Sequence, residues 1–133
     1  MAATLVYLDS SALVKLVVRE EGSDALRAWL SSRPAAVSSA IAVTEVRRAV
    51  GRVSTRRSLS DRARLVLDGV ALLAVDVALL EAAAGLKPAE LRTLDAIHVA
   101  SALSLGDDLL AFITYDDRQA AAARKAGLRV ETP

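Results

Sequence analysis

The chain has no cysteine and a single histidine, His98. Without cysteine it can build neither a disulfide framework nor a thiolate zinc site, and it fits a reducing compartment. One histidine excludes a multi-histidine metal cage. Aromatic residues are scarce: Tyr7, Trp29, Phe112 and Tyr115 are the whole set. Base stacking on an aromatic platform is therefore not the expected way for this chain to hold nucleic acid. Long hydrophobic runs are also missing. The apolar run Leu5 to Leu8 stops at Asp9 and is too short for a signal peptide or a membrane span. The expectation is a soluble cytoplasmic protein with no membrane partner. Charge of one sign is lacking overall, with 17 basic against 16 acidic residues and a net charge of +1.

That balance hides a local asymmetry. Between Arg47 and Arg64 lie Arg47, Arg48, Arg52, Arg56, Arg57, Arg62 and Arg64, opposed by Asp61 alone. Such a stretch suits a polyanion such as RNA, with Arg52, Arg56 and Arg57 as candidate contacts; a solvated helix face is the plainer reading. At 133 residues the chain is expected to form one domain, residues 1–133. A domain of this size buries roughly two thirds of its unfolded surface and needs no covalent or metal staple.

Short apolar runs alternate with helical patterns along the sequence. Strands are expected at Thr4 to Leu8, Ala35 to Ser38, Ala71 to Val75, Leu109 to Thr114 and Leu128 to Val130. Helices are expected between them. Ser10 or Ser11, Ser23, Ser39, Asp76, Thr93 and Asp116 or Asp117 stand at their starts; Gly22, Pro34, Gly85, Gly106 and Gly127 stand at their ends. The alternation gives an α/β fold with a central, mostly parallel sheet and helices on both faces.

Ligands of open parallel sheets bind beyond the C-terminal strand ends. Asp9 follows the first strand and Asp116 the fourth, so both belong at that edge. Glu45 and Asp95 sit on helices that otherwise read as apolar or basic, where a carboxylate is costly unless paired or bound to a cation. Each acid alone has an ordinary explanation. Asp9 or Asp116 can cap a helix, Asp95 can complement a helix dipole, and Glu45 can pair with Arg48 or Arg52. Together they would repel one another and raise each other's pKa, which calls for a cation. An all-oxygen donor set favours Mg²⁺, with Mn²⁺ as its substitute. His98, between Ile97 and Val99, is expected to be a buried structural residue. Receiver and haloacid-dehalogenase sites fit poorly: no lysine follows Thr114, and Ser11 stands where the latter needs a second aspartate.

Four segments carry a resemblance to a known family. They are YLDSSALVKL at Tyr7 to Leu16, TEVRRA at Thr44 to Ala49, LRTLDAIHVASA at Leu91 to Ala102, and FITYDDR at Phe112 to Arg118. In this order they resemble the acidic blocks of PIN domains, and the chain length resembles the VapC toxins of toxin–antitoxin pairs. The resemblance implies a PIN-like fold and a Mg²⁺-dependent endoribonuclease, acting as the toxin of a VapBC-type pair. The alternative is a catalytically silent PIN-like module that binds RNA or protein. The resemblance places Asp9, Glu45, Asp95 and Asp116 on the family's acidic positions, as catalytic and metal-binding groups. Asp117 is a possible replacement for Asp116, although Asp117 suits a helix cap better. Ser11 and Thr114 fall on small hydroxyl positions beside the acids, suited to orienting a carboxylate or a water. The implied partners are a VapB-type antitoxin, an RNA substrate and a second copy in a homodimer. The implied reaction is in-line attack by water, leaving a 5′-phosphate and a 3′-hydroxyl.

Overall fold

The computed structural model describes residues 3–32 and 35–133. Pro34, expected to end the second helix, lies outside them. Five strands, β1 (Leu5–Leu8), β2 (Ala35–Ser39), β3 (Ala71–Leu73), β4 (Leu109–Ile113) and β5 (Val130–Glu131), form one sheet in the order β3-β2-β1-β4-β5. Every pairing is parallel, so the sheet exceeds the expected "mostly parallel". The helices among the described residues are α1 (Ser10–Val17), α2 (Ser23–Ser31), α3 (Ala42–Val53), α4 (Arg57–Asp68), α5 (Val77–Ala84), α6 (Thr93–Leu103) and α7 (Asp117–Lys125).

The two-residue period of β1 divides the core. Val6 and Leu8 pack with Leu13, Val17, Leu26, Val46, Val50 and Ile113, which come largely from α1, α2 and α3. Tyr7 points to the other face, with Val37, Val99, Phe112 and Ala123. There Tyr7 and Phe112, paired across β1 and β4, stack at 5.3 Å between ring centroids. Helices thus cover both faces, as a buried parallel sheet requires. Ile97 and Ala100 of α6 seat α5 through Ala83.

Several element ends differ from expectation, each for a local reason. Asp9, not Ser10 or Ser11, caps α1, accepting from the Ala12 N–H. Gly22 occupies the N-cap of α2 at φ 89°, a left-handed backbone that favours glycine. Ser23 is instead a buried first-turn residue whose hydroxyl accepts from the Glu20 N–H. Ser39 is claimed by the sheet, opposite Leu73, so α3 starts at Ala42. Helix α4 runs from Arg57 to Asp68, and Gly69 closes it. Strand β3 stops at Leu73 because β2 offers it only the partners Val37 to Ser39. Arg92, not Thr93, sits at the N-cap of α6, which ends at Leu103 with Ser104 as its C-cap, before Gly106. Leu128 gives its N–H to Ala123 O at the end of α7, which delays β5 to Val130.

Candidate active site

The chain leaves β1 outward through β2 and β3, then crosses back to β4 on the other side of β1. Such a reversal opens a crevice at the C-terminal strand ends, the usual ligand position of an open α/β sheet. Asp9 stands at this crevice, its backbone N–H on Ile113 O at 3.1 Å. Its side chain is buried. Oδ1 accepts from Ser11 Oγ at 2.6 Å and from the Ala12 N–H at 3.0 Å, and Oδ2 accepts from Thr114 Oγ1. Ser11 Oγ also accepts from the Tyr115 N–H at 2.9 Å, tying α1 to the segment after β4. Burial pushes the Asp9 carboxyl above the usual carboxylate range; the Ser11 and Thr114 hydroxyls, His98 and the Ala12 N–H pull against it.

Glu45 enters from the first turn of α3. Its Oε1 accepts from Ser10 Oγ at 2.6 Å and faces His98 Nε2 at 2.7 Å. On its other side the His98 ring meets Tyr7 OH, 2.7 Å from Nδ1. The Tyr7 hydroxyl and the Glu45 carboxylate thus hold the ring by both its nitrogens. Tyr7 keeps its proton, because burial drives the phenol well above its ordinary range. For Glu45, burial acts upward but is outweighed by the His98 hydrogen bond, the Ser10 hydroxyl and the His98 charge, and the carboxyl falls below its usual range. The expected arginine partners do not take this acid; among the described residues no ion pair joins Glu45 to Arg48 or Arg52. His98 is buried as expected, yet it braces Glu45 as well as filling space.

Asp95 lies in the first turn of α6, half-buried. Burial raises its carboxyl first, then the charge of Asp116; His98 lowers it, and Asp9 and Glu45 raise it further. The expected mutual repulsion is therefore felt at Asp95, whereas Asp9 is raised by burial and not by its neighbours. Asp116 is exposed and caps α7, its Oδ1 accepting from the Arg118 N–H at 2.9 Å and the Gln119 N–H at 3.1 Å. The assignment of the cap to Asp117 is thus corrected. Asp116 is the last non-helical residue, with extended backbone, so its side chain reaches the free N–H groups of the first turn. Asp117 is exposed inside the first turn and is not among the charges that raise Asp95.

The charges of Asp9, Glu45 and Asp116 are all felt at Asp95, and Ser11 and Thr114 are fastened to Asp9. Among the described residues no three acidic, histidine or cysteine side chains close into a ready metal cage. Arg52, Arg56 and Arg57 are exposed on the α3–α4 side. Arg52 lies two turns beyond Glu45 on the same helix face, whereas Arg56 lines a separate cavity with Arg47 and Arg48. Tyr7 and Ser10 are site residues that motif reading missed. The available signals were the strand period, which aims residues 7 and 9 alike, and the i, i+3 spacing of Asp95 and His98 on α6.

A five-stranded parallel α/β sheet with acidic residues following β1 and β4 at its switch point defines a class of small α/β domains. The comparisons specify it. The PIN domain family model matches residues 6–125. Ribonuclease VapC46 of Mycobacterium tuberculosis is 52% identical over 129 residues, covering 96% of this chain and 97% of the relative. Ribonuclease VapC47 of the same species is 35% identical over 133 residues, with 97% of each chain covered. Among solved structures, Mycobacterium tuberculosis VapC20, described as a Sarcin-Ricin loop cleaving toxin, superposes with a TM-score of 0.75 at 21% identity, covering 96% of this chain and 99% of that one. VapBC2 from Rickettsia felis, bound to a DNA fragment from its promoter, gives 0.73 at 12% identity, covering 97% and 98%. These two support the fold. The chain belongs to the PIN-domain family, in its VapC ribonuclease branch. Ribonucleases of this family are generally metal-dependent. Among the described residues no helix is long and apolar enough to cross a membrane.

Proposed function

We propose that this chain is the toxin of a VapBC-type pair, an endoribonuclease whose working groups are Asp9, Glu45, Asp95 and Asp116, with Mg²⁺, or Mn²⁺ in its place, as its ion. The observation that carries the assignment is that Asp9 and Asp116 follow β1 and β4 at one edge of the sheet; the Asp95 carboxyl, raised by burial first and then by the charges of Asp116, Asp9 and Glu45, supports it. A crevice that gathers like charges at the end of a buried sheet suits a hard divalent cation. The donors are all oxygens, which matches Mg²⁺ in chemistry. Asp9, Asp95 and Asp116 would hold it, with Glu45 beside them. A bound divalent ion supplies charge neutralisation at a scissile phosphate and a lowered pKa for water.

The chain's own groups prepare the site. Ser11, Thr114 and the Ala12 N–H fix both oxygens of Asp9. Ser10 and His98 fix Oε1 of Glu45, and the lowered Glu45 carboxyl is ionised at neutral pH, able to orient an attacking water. In-line attack by that water yields a 5′-phosphate and a 3′-hydroxyl. Its partners are a VapB-type antitoxin and RNA. Incubation of the purified chain with total RNA, with Mn²⁺ or with EDTA, tests the reading. Cleavage that needs the ion and is lost in Asp95→Asn is expected; cleavage retained in EDTA overturns it.

A further inference from the structure

Beside the acids, between the segment ahead of α6 and the outer face of α7, lies a surface cavity of about 370 Å³. This is within the size range of small-ligand sites, roughly 300–1,000 Å³. Asp95 forms part of its wall. Three exposed cations line it: Arg92, Arg118 and Lys125. Among the described residues none of the three is in an ion pair. Two are tied to candidate acids. Arg92 is the residue before α6, three positions ahead of Asp95, and the Arg118 N–H is held by Asp116 Oδ1 at 2.9 Å. Glu90 is the other carboxylate of the lining, and Leu91 and Ala121 supply apolar surface.

A phosphodiester chain approaching four carboxylates meets repulsion. It is held only if cations flank the acids, and Coulomb attraction at a protein surface acts within about a Debye length, roughly 8–10 Å. The arginines of the α3–α4 side lie on other elements; Arg92, Arg118 and Lys125 surround a cavity that shares a wall with the acid site. We propose that this cavity is the subsite for the nucleotide adjacent to the cleaved linkage. Arg92, Arg118 and Lys125 receive its phosphate, and Leu91 and Ala121 lie against its sugar and base. No aromatic residue lines the cavity, so its grip comes from charge and is largely indifferent to base identity. The inference rests on the ribonuclease reading above, since it takes RNA as the ligand.

The test is fluorescence anisotropy of a fluorescein-labelled, mixed-sequence single-stranded oligoribonucleotide, with the full chain in EDTA and across a series of KCl concentrations. The double variant Arg118→Ala/Lys125→Ala is expected to bind about tenfold more weakly, and its log K against log salt slope should shrink by about 0.7, the value of the one phosphate contact these cations share. Arg124→Ala, an exposed residue of α7 outside the cavity, should bind like the parent. Arg118→Lys/Lys125→Arg should restore most of the slope, because it keeps both charges. An unchanged affinity and slope in the double variant, or an equal loss in Arg124→Ala, overturns the subsite. So does a defect confined to binding of the antitoxin. Parallel cleavage assays with Mn²⁺ separate this from the parent reading. Cleavage with an unaltered KM in the double variant removes the subsite and leaves the ribonuclease standing. RNA binding that depends on these cations, in a chain that cuts no RNA, keeps the subsite and removes the ribonuclease.

Discussion

The crevice has two walls of different construction. On the inner wall, the carboxylates of Asp9 and Glu45 are supplied with donors: Ser11, Thr114 and the Ala12 N–H for one, Ser10 and His98 for the other. On the outer wall, Asp116 spends Oδ1 on capping α7, and among the described residues no hydrogen-bond donor reaches the Asp95 carboxyl. The inner wall carries the desolvation cost and offsets it with fixed hydrogen bonds. The outer wall is wetter, but burial still raises Asp95 first, and the charges of its acidic neighbours add to that without hydrogen bonds to offset them. The difference teaches how an acidic site can be both stable and receptive. One half is rigid before any ligand arrives; the other holds the repulsion that a cation relieves.

The largest effects should separate the walls by stability while uniting them by activity. Asp9→Asn and Asp95→Asn are each expected to lower metal-dependent RNA cleavage on the order of 100-fold or more. Asp9→Asn should also lower the melting temperature, because an amide N–H₂ is forced towards a hydroxyl or N–H that had been donating to an oxygen. Asp95→Asn has no such conflict. Kinetics and melting curves on both variants check this; an Asp9→Asn protein more stable than Asp95→Asn would break the comparison.

Next in size is the double duty of Asp116. Asp116→Asn keeps a good N-cap and removes the charge, whereas Asp116→Ala removes both. Both should lose cleavage, but only the alanine variant should lose the cap, about 1 kcal/mol, or roughly 3–5 °C in melting temperature. Asp117→Ala should change either property little. If it proved the more damaging for cleavage, the fourth acid would be reassigned to Asp117.

Smaller still is the effect of loosening the brace on Glu45. Tyr7→Phe keeps the stack on Phe112 but leaves His98 Nδ1 buried without its hydroxyl, at a cost of about 1–3 kcal/mol. A fall in kcat of several-fold with unchanged KM is expected, read from steady-state cleavage. An unchanged kcat with the same loss of stability would make Tyr7 and His98 core residues only.

Much of this was legible in the sequence because it depends on local pattern. The five strands show as apolar runs, and Asp9 and Asp116 show as acids after strands, since chain direction in a parallel sheet fixes which end they occupy. The four blocks also carried the family. What stayed hidden depends on contacts across the chain. Nothing local distinguishes Asp116 from Asp117 as cap, because both have the right chemistry and one residue of backbone conformation decides. Nor does local pattern show that Glu45 takes His98, 53 residues away, over the arginines of its own helix. His98 reads as core because it is core; its second role appears only when β1, α3 and α6 are packed together. The cavity of Arg92, Arg118 and Lys125 was missed for the same reason. Its cations are scattered in sequence, whereas the arginine run of α3 and α4 is conspicuous.

The subtlest prediction concerns the outer wall without its ion. A carboxyl whose folded pKa is raised costs stability when ionised, and that cost disappears as pH falls through the folded value. Asp95 is such a group, through burial first and Asp116 next. In EDTA at neutral pH, Asp95→Asn should therefore melt slightly higher than the parent, by about 2 °C after allowance for solvent screening of a half-exposed acid. In acid, where the parent's Asp95 is protonated, the difference should vanish. Excess Mn²⁺ should reverse the order. Binding to the folded state alone adds about 2.7 kcal/mol at a hundredfold excess over Kd, on the order of 10 °C for a domain of this size, and the variant lacks one of the donors. Four melting curves, two proteins with EDTA and with Mn²⁺, decide it. If Mn²⁺ left the parent unmoved and Asp95→Asn were destabilising in EDTA, Asp95 would be a helix-dipole partner of α6, and the outer wall would hold no unrelieved charge.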